Sequence, residues 1–332
     1  MKKLRVGLIG CGGRSGDHMA SLEQMDDVVV AAVADPVEER RTAAAKRFGC
    51  NHIYEDHTDL YNHESRDTLD AVIICIEPTA HTDSETRAID MGIPFLVEKP
   101  MTLDLSQAED IVRRLDETGL VSAVGFQDRY LNLMDIVKEE LPKHKTGGLV
   151  SGAWVGGIPG VWWWQKKSTC GGQLVEQNIH LVDGLRYLYG EPLSVYATCS
   201  RGIVVPGKDA PESYDTDDHS TAVIRFNGNV TATLTSGCYL NGVDAHSGLI
   251  ITLNDMIIDY KLRNRLTLKT AEETRIIKAK QDQTYHLDKA FLDAVRAGDP
   301  TAVRSPYKDA LKSLKLGFAA NQSMETGEVI NF

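Results

Sequence analysis

The sequence predicts an α/β first half, built as a doubly wound parallel sheet, followed by an α+β second half with a largely antiparallel sheet. Three observations carry this. Up to Gly119, short apolar runs alternate with helical patterns, the grammar of a parallel sheet covered on both faces. After Gly125 the runs read as strands joined by Gly, Asn and Asp turns. The chain has 332 residues, enough for two domains with cores of their own.

In order, "LRVGLIG" from Leu4 predicts a buried strand, "HMASLEQM" from His18 a helix and "VVVAAVAD", ending at Asp35, a second strand. "PVEERRTAAAKRFG" has proline at its start and glycine at its end, the punctuation of a helix. "LDAVIICI" and "PFLVE" are further strands, separated by the helix "HTDSETRAIDMG"; "LSQAEDIVRRLDETG" is a helix leading into "VSAVGF". In the second half, "GGLVSGAWVGG", "LSVYATCSRGIV", "HSTAVIRFNGNVTATLTSGCYL", "SGLIITLNDMIIDYKL" and "RLTLKTAEETRIIKA" read as strands, and the Asn-Gly in "FNGNV" marks a hairpin. Helical patterns at "TYHLDKAFLDAVRAG" and "SPYKDALKSLKLGFAANQSMETG" close the chain. The domain boundary is expected near 124, giving domains 1–123 and 124–332.

A net charge of −11 argues against nucleic acid or an anionic membrane as partner. The N-terminus enters a glycine turn and has no signal-peptide core, and no run approaches the roughly 18 apolar residues of a spanning helix. Six cysteines without a C-x-x-C pair are expected to be reduced thiols in a cytoplasmic protein, with neither a disulfide frame nor a metal site.

Between the first strand and its helix, Gly10, Gly12 and Ser15 fall in a G-x-G-x-x-small frame. Here a dinucleotide pyrophosphate rests on backbone N–H groups and a helix N-terminus. Asp35, ending the next strand, accepts hydrogen bonds from a ribose diol and repels a 2′-phosphate, favouring NAD over NADP. Glu98-Lys99-Pro100 ends a parallel strand, where doubly wound sheets place ligands; alone, the tripeptide fits a surface salt bridge equally well. In Gly171–Pro192, read as one helix, Glu176, His180 and Asp183 stand at i, i+4 and i+7, within roughly 60° of one another. That face is either a satisfied polar seam or the floor of a catalytic pocket. Of Trp162, Trp163 and Trp164, one or two are expected to line a pocket as apolar plates for a sugar ring, or else to form an apolar patch.

The order "GLIGCGG", His18, "PTAH" (Pro78 to His81), "EKP" and E-x-x-x-H-x-x-D resembles the Gfo/Idh/MocA family of NAD(P)-dependent oxidoreductases along essentially the whole chain. The resemblance implies a Rossmann first domain and places Lys99 beside nicotinamide and substrate. It makes His180 a catalytic partner, with Glu176 standing where the family usually has aspartate. The cofactor surface is expected to comprise Gly10, Gly12, Gly13, Arg14, Ser15, Asp35, Ile76, Pro78, His81, Glu98 and Lys99. Gln127, Arg129, Trp163, Trp164 and Asp183 are expected at the substrate. The chemistry implied is hydride transfer between a secondary alcohol of a sugar, cyclitol or glycoside and the nicotinamide, with His180 or Lys99 taking the hydroxyl proton. Two rival readings are an NAD-dependent glycoside hydrolase acting by transient sugar oxidation and a non-catalytic sugar or NAD sensor. The apolar second-domain strands suggest a homodimer or homotetramer.

Overall fold

The structure is a computed structural model and describes residues 2–145, 148–243, 247–280 and 282–332. The chain divides into two compact units, Met1–Gln127 with Asp282–Leu311, and Asp128–Gln281 with Lys312–Phe332.

The first unit holds six strands: β1 (Leu4–Ile9), β2 (Val28–Ala34), β3 (Ile53–Tyr54), β4 (Ala71–Ile74), β5 (Phe95–Val97) and β6 (Ser122–Val124). They pair in parallel in the order β3-β2-β1-β4-β5-β6. Val6, Leu8, Ile73, Ile74, Phe95 and Leu96 are fully buried, because strands covered on both faces can carry continuous apolar runs. The order reverses between β1 and β4, which marks the ligand crevice at the carboxyl ends of these strands. The first helix is Gly13–Leu22, starting earlier than the sequence suggested because the glycine turn itself opens it. The helix His57–His63, capped by Asp56, and strand β3 had no clear apolar rhythm to announce them.

Part of the chain's end belongs here. Val124 N–H donates to Ser305 O at 2.9 Å, and Ser305 Oγ donates back to Val124 O at 2.8 Å. The Phe95 and Tyr307 rings meet edge to face at 5.9 Å. The expected block 124–332 is therefore divided, with Asp282–Leu311 grouping with the nucleotide-type sheet. Such long-range pairings leave no periodic mark in a sequence.

The second unit is built on nine strands: β7 (Gly148–Gly156), β8 (Pro192–Ser200), β9 (His219–Phe226), β10 (Val230–Cys238), β11 (Ser247–Thr252), β12 (Ile257–Lys261), β13 (Arg265–Lys269), β14 (Thr274–Lys278) and β15 (Ile330–Asn331). Gly147, in the run predicted for β7, lies outside the described residues. The sheet order is β14-β13-β12-β11-β7-β10-β9-β8-β15, and all neighbours are antiparallel except β7 and β10. The Asn-Gly hairpin forms as predicted, with Gly228 and Asn229 at φ 72° and 59°. One face carries the buried row Ala197, Ala222, Leu234, Leu249, Tyr260 and Leu266, with the helix Ile179–Tyr189 against β10. The opposite face exposes Tyr196, Val223, Ile250 and Ile276, which fall in one register row across the sheet. Among the described residues no helix is long and apolar enough to cross a membrane.

Candidate active site

In the first unit the glycine turn is shaped by close packing on one side and openness on the other. Gly10 has φ +88°, and a Cβ there would lie 2.2 Å from Cys75 O, so no larger residue fits between the ends of β1 and β4. Ile76 closes the same contact from β4's end. Among the described residues nothing stands within 4 Å of a Cβ on Gly13. The helix Gly13–Leu22 has Gly12 as N-cap, no side-chain cap and no acid in its first turn. Its opening N–H groups are thus arranged for an anion. Ser15 is fully buried, filling the helix–sheet contact as expected of a small residue there. Asp35 is buried at the end of β2, and its carboxylate accepts N–H bonds from Cys11 and Val37, each at 2.8 Å. These features fit a dinucleotide.

Other expected cofactor contacts are engaged within the unit. His81 is 1% exposed, with Nδ1 2.5 Å from Glu85 Oε1. Pro78 is buried at the start of a short 3₁₀ turn. The Arg14 guanidinium serves Glu98 and Asp17. Glu98 is 4% exposed, and its carboxylate accepts from Arg14, from His18 Nε2 and from the Lys99 N–H. Burial opposes its ionisation, but Arg14 and the charged His18 outweigh this and hold it well below the usual carboxylate range. Lys99 follows at the carboxyl end of β5.

In the second unit the expected single helix is two. Gln173–Glu176 forms a short turn and Ile179–Tyr189 the main helix, with a break at Gln177 and Asn178. The break has a cause: Gln177 Nε2 donates to Trp154 O at 2.9 Å and Asn178 Nδ2 to Thr235 O at 3.0 Å, drawing both side chains onto β7 and β10. Gln177 and Asn178 keep right-handed dihedrals, so Glu176 and His180 stand on two successive helical segments joined by a two-residue turn.

His180 and Asp183 share the helix Ile179–Tyr189, and each has a partner of its own. Asp183 accepts two bonds from Arg129, at 2.7 and 2.6 Å, and one from Ser313 Oγ at 2.7 Å. Arg129 and Asp183, both expected at the substrate, form a buried pair in which each engages the other. Asp128 places a carboxylate beside His180, its Oδ2 3.7 Å from Nδ1. Asp128 is itself gripped by Arg263 Nε at 2.6 Å, and the Trp154 ring lies 6.0 Å from the imidazole. Nothing in the sequence pointed to Arg263, which sits at φ +55° in the β12–β13 turn. No spacing pattern links a hairpin tip to residue 128.

Gln127 is buried at the last residue of the first unit's opening segment. Trp163 and Trp164 stack with centroids 6.3 Å apart, and Trp164 Nε1 donates to Gln173 Oε1 at 3.0 Å. Trp162 is the exposed member of the three. The Cys170 thiol is pushed up to about 12, first by burial and further by the charge of Glu176, which makes it an inert filler.

Known proteins match both halves. The family model described as the oxidoreductase family with an NAD-binding Rossmann fold matches residues 4–126, and the GFO/IDH/MocA C-terminal domain model matches residues 149–252. The chain is 22% identical to myo-inositol 2-dehydrogenase of Thermotoga maritima over 97% of its own length and 96% of that protein's. It is 24% identical to scyllo-inositol 2-dehydrogenase (NAD(+)) of Bacillus subtilis, over 98% and 95%. Levoglucosan dehydrogenase, solved with NADH and L-sorbose, shares the fold with a TM-score of 0.86 at 19% identity, covering 100% of this chain and 99% of that one. With the glycine turn, the strand reversal and both family domains in place, the chain belongs to the GFO/IDH/MocA family of NAD-binding oxidoreductases.

Proposed function

We propose that the protein is an NAD-dependent dehydrogenase moving a hydride between a secondary alcohol of a cyclitol or sugar and nicotinamide. The observation that carries this is Lys99, an ammonium-bearing side chain at the carboxyl end of β5, its backbone held by the saturated Glu98 carboxylate one strand away from the β1–β4 switch point. The inositol dehydrogenases among its relatives supply the substrate class.

Bound NAD supplies the hydride acceptor. Lys99 stabilises the oxygen of the alcohol as negative charge develops there. His180 takes the hydroxyl proton, with the Asp128 charge 3.7 Å from Nδ1 favouring the protonated ring and Trp154 packed beside it. Glu176, buried beside Cys170, tunes the charge around this helix start. Trp163 presents an apolar plate to the substrate ring. Asp35 favours NAD over NADP through its charge. The six free thiols suit a reducing cytoplasm, and the exposed row on the second sheet suits pairing with a second copy.

A panel of inositols and pyranoses with NAD and with NADP, followed by accumulation of reduced nicotinamide, tests this reading. Lys99→Met and His180→Asn should each lower kcat by about 100-fold or more. Turnover that survives both substitutions removes the mechanism. Substrate cleavage without net reduced cofactor would point to the hydrolase instead.

A further inference from the structure

The first unit contains a buried charged chain that the reaction as stated does not use. Glu98 follows directly on β5, with its backbone N–H donating to Ile74 O at 2.8 Å. Its Oε1 lies 3.0 Å from Arg14 Nε and 3.1 Å from His18 Nε2, and its Oε2 accepts the Lys99 N–H at 3.2 Å. The far nitrogen of His18, Nδ1, lies 2.8 Å from Asp288 Oδ1. His18 and Asp288 are fully buried and Glu98 nearly so. Both imidazole nitrogens face carboxylate oxygens, so both carry protons and the ring is a cation. The buried carboxylates of Glu98 and Asp288 are balanced by Arg14 and His18, and the exposed Asp17 caps Arg14 at the rim. A Cβ on Gly125 would lie 2.5 Å from the Glu98 carboxylate, so that side of the slot is full.

We propose that Asp288 and His18 are positioning residues for Lys99, acting through Glu98. This rests on the reading of Lys99 as the group that meets the reacting oxygen. An apolar filling of the same volume would be the cheaper way to stabilise a core, so a buried ionic chain marks a place where orientation matters. The chain ends on the backbone N–H of Lys99, one bond from its Cα. Asp288 fixes the His18 ring and keeps it charged. His18 and Arg14 hold Glu98 in one rotamer, and Glu98 sets the direction in which Lys99 leaves the strand. Asp288 comes from the helix Gln283–Ala297, so a segment remote in sequence controls the corner.

Asp288→Asn removes the charge at constant volume. In amide hydrogen exchange on the full chain, the Lys99 amide should exchange about tenfold or more faster in the variant, while the amides of β4 stay as in the parent. With a polyol that the parent oxidises, kcat should fall about 10- to 100-fold while the dissociation constant for NAD changes less than about threefold. An unchanged Lys99 amide, or a loss of kcat matched by an equal loss of NAD affinity, overturns the proposal. Should the variant not fold, the parent protein decides: its Lys99 amide must be protected to the same degree as those of Ile73 and Ile74, and rapid exchange there overturns the proposal as well. If the parent oxidises no polyol, the dehydrogenase reading falls and the exchange measurement alone judges the positioning chain.

Discussion

Arg129 Nε and Nη2 meet the two carboxylate oxygens of Asp183 at 2.7 and 2.6 Å, with both side chains almost wholly withdrawn from solvent. The pair ties the segment after the last Rossmann strand to the helix Ile179–Tyr189, and Ser313 adds a third bond. Removing one partner strands a buried charge. Arg129→Met should therefore cost about 3–5 kcal/mol in urea denaturation. Arg129→Met combined with Asp183→Leu should cost clearly less than the two single changes added together, because the stranded charge is gone. Additive losses would show that the two residues act independently.

The glycine turn separates folding from binding. Gly10→Ala forces a Cβ onto Cys75 O and a side chain into φ +88°, so stability should drop by more than about 2 kcal/mol. Gly13→Ala meets nothing within 4 Å and should leave the melting temperature within a degree or two of the parent. Its NAD dissociation constant should nonetheless rise about tenfold, since the added methyl occupies space a pyrophosphate needs. Calorimetric titration beside thermal melts resolves the two effects.

The buried His18 makes stability depend on pH. Burial alone would lower its pKa, but Asp288 and Glu98 outweigh this and raise it from 6.5 to about 9. A group raised in the folded state contributes fully below its unfolded value and loses that contribution as pH climbs through the folded one. Stability should thus fall by up to about 3 kcal/mol between pH 6.5 and pH 9. Glu98 works in the opposite sense, since its lowered pKa gives stability that is lost on acidification. Denaturation midpoints across this window, compared with those of His18→Gln, test the assignment: the variant should lose the alkaline decline.

The exposed row Tyr196, Val223, Ile250 and Ile276 predicts self-association. Ile250→Glu places a charge at the centre of that row and should shift the protein to a smaller species in light scattering behind size exclusion. The melting temperature of the isolated subunit should change little, because Ile250 is already 37% exposed. A parent protein that elutes as a monomer at all concentrations would refute the interface.

The alternation of buried strands and helices, the glycine turn with Asp35 beyond it, and the Asn-Gly hairpin were all legible in the amino-acid order. Each is a local rule: a period, a cap, or a turn that only certain residues tolerate. The place of Lys99 just past a parallel strand was legible too, because the pattern itself defines that position; the role expected of it came from the family resemblance. The partners were not. Nothing along the chain says that Asp288 reaches His18, that Arg129 claims Asp183, or that Asp128 comes beside His180. The helix from Gly171 looked continuous, yet Gln177 and Asn178 found backbone carbonyls on two strands and broke it. Local sequence sets which elements form, since neighbours along the chain compete within a few residues. Which buried charge meets which is decided only when distant segments close together, because an ionised group withdrawn from water takes whichever partner the packing brings within reach.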